Sequence, residues 1–235
     1  MGEGAYMNRT GAGTCLSRCL GAAFLLQAIT SLTSGALLLN PLVDADNVRN
    51  TMLRVGKHAG LVHASIVGDI ITALGIIWLG TMLYSVVERR GKALALVALG
   101  FYVFEAGILA VSKAAVFALL HVSQQFAATG DQGLETIAEL ALATKDFTYR
   151  LHIIPFGLGA IIFYALLHRS RIVPAWLSLW GLFAVPFVLV GSLLVMIGIP
   201  MPPAFLALAL PYVPFEFVAG AYILVKGFKL QPGRN

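Results

Sequence analysis

"FYVFEAGILAVSK", residues 101–113, lies inside a long apolar run and yet carries Glu105 and Lys113. The run extends over about 93–122, more than the roughly 20 apolar residues that a helix needs to cross a bilayer. A second stretch, "PYVPFEFVAGAYILVKG" (211–227), carries Glu216 in the same way. Reading from charge to charge along the whole chain gives six such segments, at about 17–40, 60–87, 93–122, 150–168, 172–198 and 204–226. The expected fold is all-α: a polytopic membrane protein with a six-helix transmembrane bundle, forming one domain over residues 1–235.

Composition supports a lipid solvent. Of 235 residues, 59% are hydrophobic and 11% charged, against about 25% charged in soluble domains, and the mean hydropathy is +0.86. The net charge of +5 comes from basic residues placed in short groups between apolar runs. That placement encodes membrane orientation and argues against nucleic-acid binding. Arg9, Arg18, the "ERRGK" turn, the "HRSR" turn, Lys226, Lys229 and Arg234 fall on one side. Arg49, Arg54, Lys57, Lys145 and Arg150 fall on the other. Ten basic residues against five put both termini in the cytoplasm, as an even number of spans requires. Residues 1–39 also resemble a signal peptide, with "TSGA" after an apolar run; the segment is read here as the first span. Cys15 and Cys19, four apart in "TCLSRCL", share a helix face and are read as reduced thiols rather than a metal or redox pair. Residues 124–148 form a long outer loop in which Leu134, Ile137, Ala138 and Ala141 fall on one helical face. That pattern fits either an amphipathic helix on the outer surface or a solvated connector.

The stretches "GDIITALGIIWLGTMLYSVV", "ALALVALGFYVFEAGILAV", "YRLHIIPFGLGAIIFYALLHRSRIVPAWLSLWG" and "PFEFVAGAYILVKGF" follow one another in order. Together they resemble the bacterial membrane family catalogued as domain of unknown function 4386. The resemblance covers nearly everything after the first span. It implies a multi-span protein of a bacterial cytoplasmic membrane, and brings with it no established activity.

Function must then be read from the polar residues. Glu105 stands thirteen residues beyond Lys92, about 20 Å up its helix, and Glu216 ten residues before Lys226, about 15 Å up. In a core about 30 Å thick, both sit near the middle. Asp69 and His152 fall in the outer half, and Lys113 should reach the outer interface. A charge at the bilayer centre costs about 2.5–3.5 kcal/mol on insertion scales, so these groups should face the bundle interior, where the acids can pair with His152 or Arg150. Ala106, Ala110, Ala114 and Ala118 recur every fourth residue, a stripe suited to close helix contact, with Glu105 beside it. Pro214 should interrupt the last span and free backbone carbonyls. The likeness between the two Tyr-, Glu- and Lys-bearing spans is attributed to the few residue types that apolar helices use.

Three functions fit. In the first, the protein is an intramembrane enzyme or binder of a lipid-soluble or small amphipathic molecule. Glu105, Glu216, Asp69 and His152 are then the candidate catalytic groups, and Tyr102, Lys113, Arg150 and Tyr212 the candidate ligand-binding groups. Three carboxylates and an imidazole could also hold a divalent metal, although no spacing assigns a metal or cofactor. His58 and His63 lie about 140° apart on a helix, against a shared site. No H-E-x-x-H, G-x-S-x-G or phosphate loop is present. In the second, midplane acids couple a small transporter to protons or cations, a reading favoured by Pro214, Gly157 and Gly159, with a homodimer compensating for small size. In the third, the polar residues only fix helix order in a structural or regulatory subunit, with membrane lipid as the surrounding partner.

Overall fold

Hydrocarbon cannot hydrogen-bond a peptide group, so so apolar a chain has to satisfy its backbone within helices. The computed structural model describes residues 3–228, which form helices joined by short turns, without a strand among them. Helix α1, Glu3–Leu32, continues into a π-helical stretch, Thr33–Leu39, and a 3-10 turn, Asn40–Leu42. Helix α2, Val48–Lys57, is capped by Asn47, whose side chain accepts from the Asn50 amide at 2.9 Å. Helices α3 (Ala59–Thr129), α4 (Gly133–Ser170), α5 (Ala175–Met196), α6 (Pro203–Ala209) and α7 (Tyr212–Lys226) follow. Among the described residues, five helical stretches are long and apolar enough to cross a membrane: Thr14–Leu42, α3, α4, α5 and Pro203–Lys226. Large apolar side chains such as Phe104, Val111, Leu140 and Val225 stand exposed on the outside. That exterior suits lipid, and the architecture is that of a multi-pass membrane protein.

The longest element decides how the rest is arranged. Straight, the 71 residues of α3 would extend about 107 Å. Instead the backbone leaves the helix at Gly91 (φ 168°, ψ 75°), an extended conformation inside the "ERRGK" turn. Two arms, 59–90 and 92–129, then run antiparallel. Asp69 meets Lys113 and Gly80 lies against Tyr102, and each pair is equidistant from Gly91, at 22 and 11 residues. Twenty-two helical residues rise about 33 Å, close to the thickness of the hydrocarbon core. Lys113 therefore has the height expected of the outer interface but not the exposure. It is buried against Asp69.

Two apolar clusters flank a more polar layer. The first joins Leu20, Phe24, Leu83, Tyr102, Phe163, Tyr164, Phe215 and Ile223, nearer the Gly91 turn. The second joins Met52, Val55, Val62, Val116, Leu119, Phe126, Ala138 and Ala141 at the opposite end, where Arg49 stacks over the Phe126 ring at 5.6 Å. Between them along both arms of α3 come Asp69, Thr72, Glu105, Ser112 and Lys113, all buried.

Several boundaries differ from the sequence reading. The outer loop expected over 124–148 is mostly helix. Helix α3 runs to Thr129, Gly130 terminates it in the left-handed region (φ 68°), and α4 begins at Gly133. Residues 133–148 are thus the first turns of α4 and carry Ala138 and Ala141 into the second cluster. The last span is interrupted at Leu210–Pro211 rather than at Pro214, which sits in the first turn of α7, where a missing N–H costs no intrahelical bond. The Pro211 carbonyl accepts from the Phe215 amide at 3.2 Å and also from Trp180 Nε1 at 3.0 Å. Only Ala106 of the alanine stripe is fully buried, and Ala114 and Ala118 face outward. The buried stripe of that arm is Tyr102, Glu105, Leu109, Ser112 and Val116, so Glu105 lies on the seam itself. Lys229 and Arg234, counted in the charge balance, lie outside the described residues.

Helix α1 closes the bundle against α7 through small residues. A Cβ on Gly21 would stand 2.7 Å from the Gly220 carbonyl oxygen, and one on Gly220 2.8 Å from Leu25 Cγ. Backbone cannot yield as a flexible side chain can. Gly21→Val is therefore expected to lower stability by about 1–3 kcal/mol, the usual range for overpacking. Gly107→Ala, whose Cβ meets nothing within 4 Å, should be neutral or stabilising by up to about 1 kcal/mol. Thermal unfolding of the two variants in the same detergent checks the contrast.

Candidate functional site

The polar layer is organised around a cavity of about 440 Å³. Its wall draws Gln27, Ser31 and Gly35 from α1 and the π-helical stretch, and Asp69, Thr72, Glu105 and Lys113 from the two arms of α3. Helix α4 contributes Tyr149, Arg150 and His152, and α7 contributes Val213 and Glu216. Of the eight residues singled out from sequence, the structure brings Asp69, Glu105, Lys113, Arg150, His152 and Glu216 to this one wall. Tyr102 and Tyr212 stand behind it. Tyr212 donates to Glu216 Oε1 at 2.8 Å and lies 3.1 Å, hydroxyl to hydroxyl, from Tyr164. The Tyr102 ring packs edge-on to Phe163 at 5.2 Å, and its hydroxyl, near Tyr164, completes no well-formed hydrogen bond.

The carboxyl groups are held differently. Asp69 is fully engaged: Lys113 Nζ lies 2.5 Å from Oδ2, and the Ser34 hydroxyl donates to Oδ1. Ser34 can come so close because Gly68 faces it, where a Cβ would stand 3.0 Å from Ser34 Cβ. The partner of Asp69 is thus Lys113, rather than His152 or Arg150, which the sequence offered among other possibilities. Glu216 Oε1 accepts from both Gln27 Nε2, at 2.6 Å, and Tyr212. Glu105 is 4% exposed, its Oε2 has no hydrogen-bond partner, and it lies within electrostatic reach of Glu216. His152 Nδ1 is also without a well-formed hydrogen bond, its nearest acceptors being carbonyls of its own helix at Thr148 and Tyr149. The edge of its ring meets Tyr149 at 4.9 Å.

Helix α1 supplies partners that the sequence reading passed over. Gln27 holds Glu216, Ser34 holds Asp69, and Thr30 accepts from Thr72 at 2.7 Å. With Ser31 they recur at intervals of three and four along an apolar span, the spacing of one helical face. The π-helical stretch carries Ser34 and Gly35. Such stretches expose backbone to rearrangement and recur at functional sites. Gly157 and Gly159 allow close contact: a Cβ on the first would stand 2.9 Å from Leu189 Cβ, and on the second 2.8 Å from Tyr102 Cδ2. Cys15 and Cys19 are free thiols remote from the cavity wall. Among the described residues no three His, Cys, Asp or Glu side chains are grouped to hold a metal ion. Asp69 is committed to Lys113 instead.

A buried ion pair repays its desolvation only while both members are present. Asp69→Asn should leave Lys113 buried beside a neutral partner and destabilise the protein by about 3–5 kcal/mol. Asp69→Asn combined with Lys113→Met should recover most of that loss. Denaturation of the single and double variants in detergent measures the difference, and equal instability of both would contradict a coupled pair.

Neither a curated protein nor a solved structure is similar enough to match the chain. Residues 19–227 match the family described as Domain of unknown function (DUF4386). The match takes in every residue of the cavity wall, from Gln27 to Phe217, and the chain belongs to that family.

Proposed function

We propose that this protein crosses the membrane six times and holds a small amphipathic molecule in the cavity between its helices. The observation that carries the reading is Glu105. Its Oε2 is buried, without a partner among the described residues, and belongs to a residue on the cavity wall. A buried acceptor left without a partner costs about 1–3 kcal/mol, and a ligand donor would remove that cost. The volume of about 440 Å³ falls within the roughly 300–1,000 Å³ of small-molecule sites. Ile76, Leu109 and Val213 offer apolar wall beside the polar groups. Glu105, Glu216 and His152 are competent to move protons on a bound molecule, so an intramembrane reaction is compatible with the same site.

Six crossings follow from counting the two arms of α3 separately, since each is long enough to span. The Gly91 turn with Arg89, Arg90 and Lys92, and the turn after α4 with Arg169 and Arg171, are then cytoplasmic by the distribution of basic residues, as are both termini. Family membership supports a bacterial cytoplasmic membrane. A coupled transporter is the second reading, favoured by the helix interruption at Leu210–Pro211, about a turn and a half before Glu216.

Native mass spectrometry of the gently purified protein tests the binding reading. An amphipathic molecule should be retained at one per chain. Gly35 lines the cavity, and a Cβ there would meet nothing within 4 Å, so Gly35→Phe should fold normally and lose that molecule. Unchanged retention would exclude this cavity as the site. In proteoliposomes, adding the retained compound should leave the lumen pH unchanged for a binder and shift it for a proton-coupled transporter.

A further inference from the structure

The charges around the cavity do not balance evenly. Four carboxylates belong to its wall: Asp69, Glu105, Asp146 and Glu216. Two have cations of their own, with Lys113 at 2.5 Å from Asp69 and Lys145 at 2.7 Å from Asp146. The other two do not. Among the described residues, Glu216 receives the neutral donors Gln27 and Tyr212, both on Oε1. Glu105 is buried, with Oε2 unpartnered. The two glutamates come from different helices and line the same cavity.

We infer that the cavity selects an organic cation: a protonated amine carrying an apolar body, with its ammonium seated between Glu105 and Glu216. The inference rests on the small-molecule reading above and narrows it to one head-group chemistry. An ammonium brings a positive charge and three donors, which answers the cation that neither glutamate has and the donor that Glu105 Oε2 lacks. Size argues against a bare inorganic ion. A water molecule occupies about 30 Å³ of liquid, so a cavity of about 440 Å³ would leave a lone ion mostly unsurrounded. The apolar wall at Ile76, Leu109 and Val213 is suited to a hydrocarbon body and has nothing to offer a hydrated ion. Arg150, also on the wall and without an ion pair among the described residues, is the natural seat for an anionic head. It is only half-buried, and a long guanidinium side chain can turn toward water. Glu105 has no such escape, so the acidic pole sets the preference.

The test uses three probes of equal chain length, decylamine, decanol and decanoate, in equilibrium dialysis against the protein in lipid nanodiscs, with empty nanodiscs subtracted. Decylamine should be retained at one per chain and at least about ten-fold more tightly than the other two, the scale of one charge-assisted hydrogen bond. Glu105→Gln and Glu216→Gln should each remove that preference while decanol still binds. The wild-type discrimination decides the matter even if a variant fails to fold. Preference for decanoate, or equal retention of amine and alcohol by the unaltered protein, would overturn the cationic head while leaving a small-molecule site in place. Retention of none of the three would overturn both.

Discussion

A charge inside a lipid-exposed bundle must be answered by another part of the bundle, and the Asp69–Lys113 pair is where this protein meets that constraint. The pair lies 22 residues from Gly91 along each arm of the α3 hairpin, between the two apolar clusters, so it joins the arms well away from the turn. Its geometry reaches further than those arms. Ser34 donates to the same carboxylate, and Ser65 donates to the Ser34 carbonyl at 2.8 Å, which draws the π-helical end of α1 onto α3. One buried ion pair thereby fixes the position of three chain segments.

The cavity follows from what that network leaves open. Apolar packing fills both ends of the bundle, around Phe163 and Phe215 at one and around Met52 and Leu119 at the other. The layer between is furnished with side chains chosen for hydrogen bonding rather than for filling space. Gln27 and Tyr212 fix Glu216, Lys113 and Ser34 fix Asp69, and Glu105 is left facing the interior with acceptor capacity to spare. Rigid neighbours and an unfilled acceptor are the arrangement of a preformed site, in which the ordering cost of binding has been met during folding.

Much of this was legible in the sequence because bilayer physics is restrictive. Length and hydropathy marked the long apolar helices, and the cost of intramembrane charge pointed Asp69, Glu105, His152 and Glu216 inward. What depended on helix rotation was not legible. Lys113 had the right height, but only packing could show that it turns onto Asp69. Gln27, Thr30 and Ser34 were overlooked because single amides and hydroxyls in an apolar helix carry a small hydrogen-bonding value, about 0.6 kcal/mol on average. Their spacing was the available signal. The Leu210–Pro211 break was displaced to Pro214 because a proline in the first turn of a helix and one that ends a helix read alike until the flanking dihedrals are known. The continuity of α4 through residues 133–148 was hidden by its charged residues, of which Glu139 is solvated while Lys145 and Asp146 pair with one another.

The central claim is that ionisable side chains on separate transmembrane segments turn inward onto one another and so build the chamber. Solid-state NMR of the protein in lipid bilayers, recoupling the Asp69 side-chain carboxyl carbon with the Lys113 Nζ nitrogen, addresses it most directly. Strong dipolar dephasing, the mark of direct contact, is the expected result. No dephasing between the two sites in folded protein would mean that the arms of α3 do not close on this pair, and the cavity built upon it would not exist in the membrane.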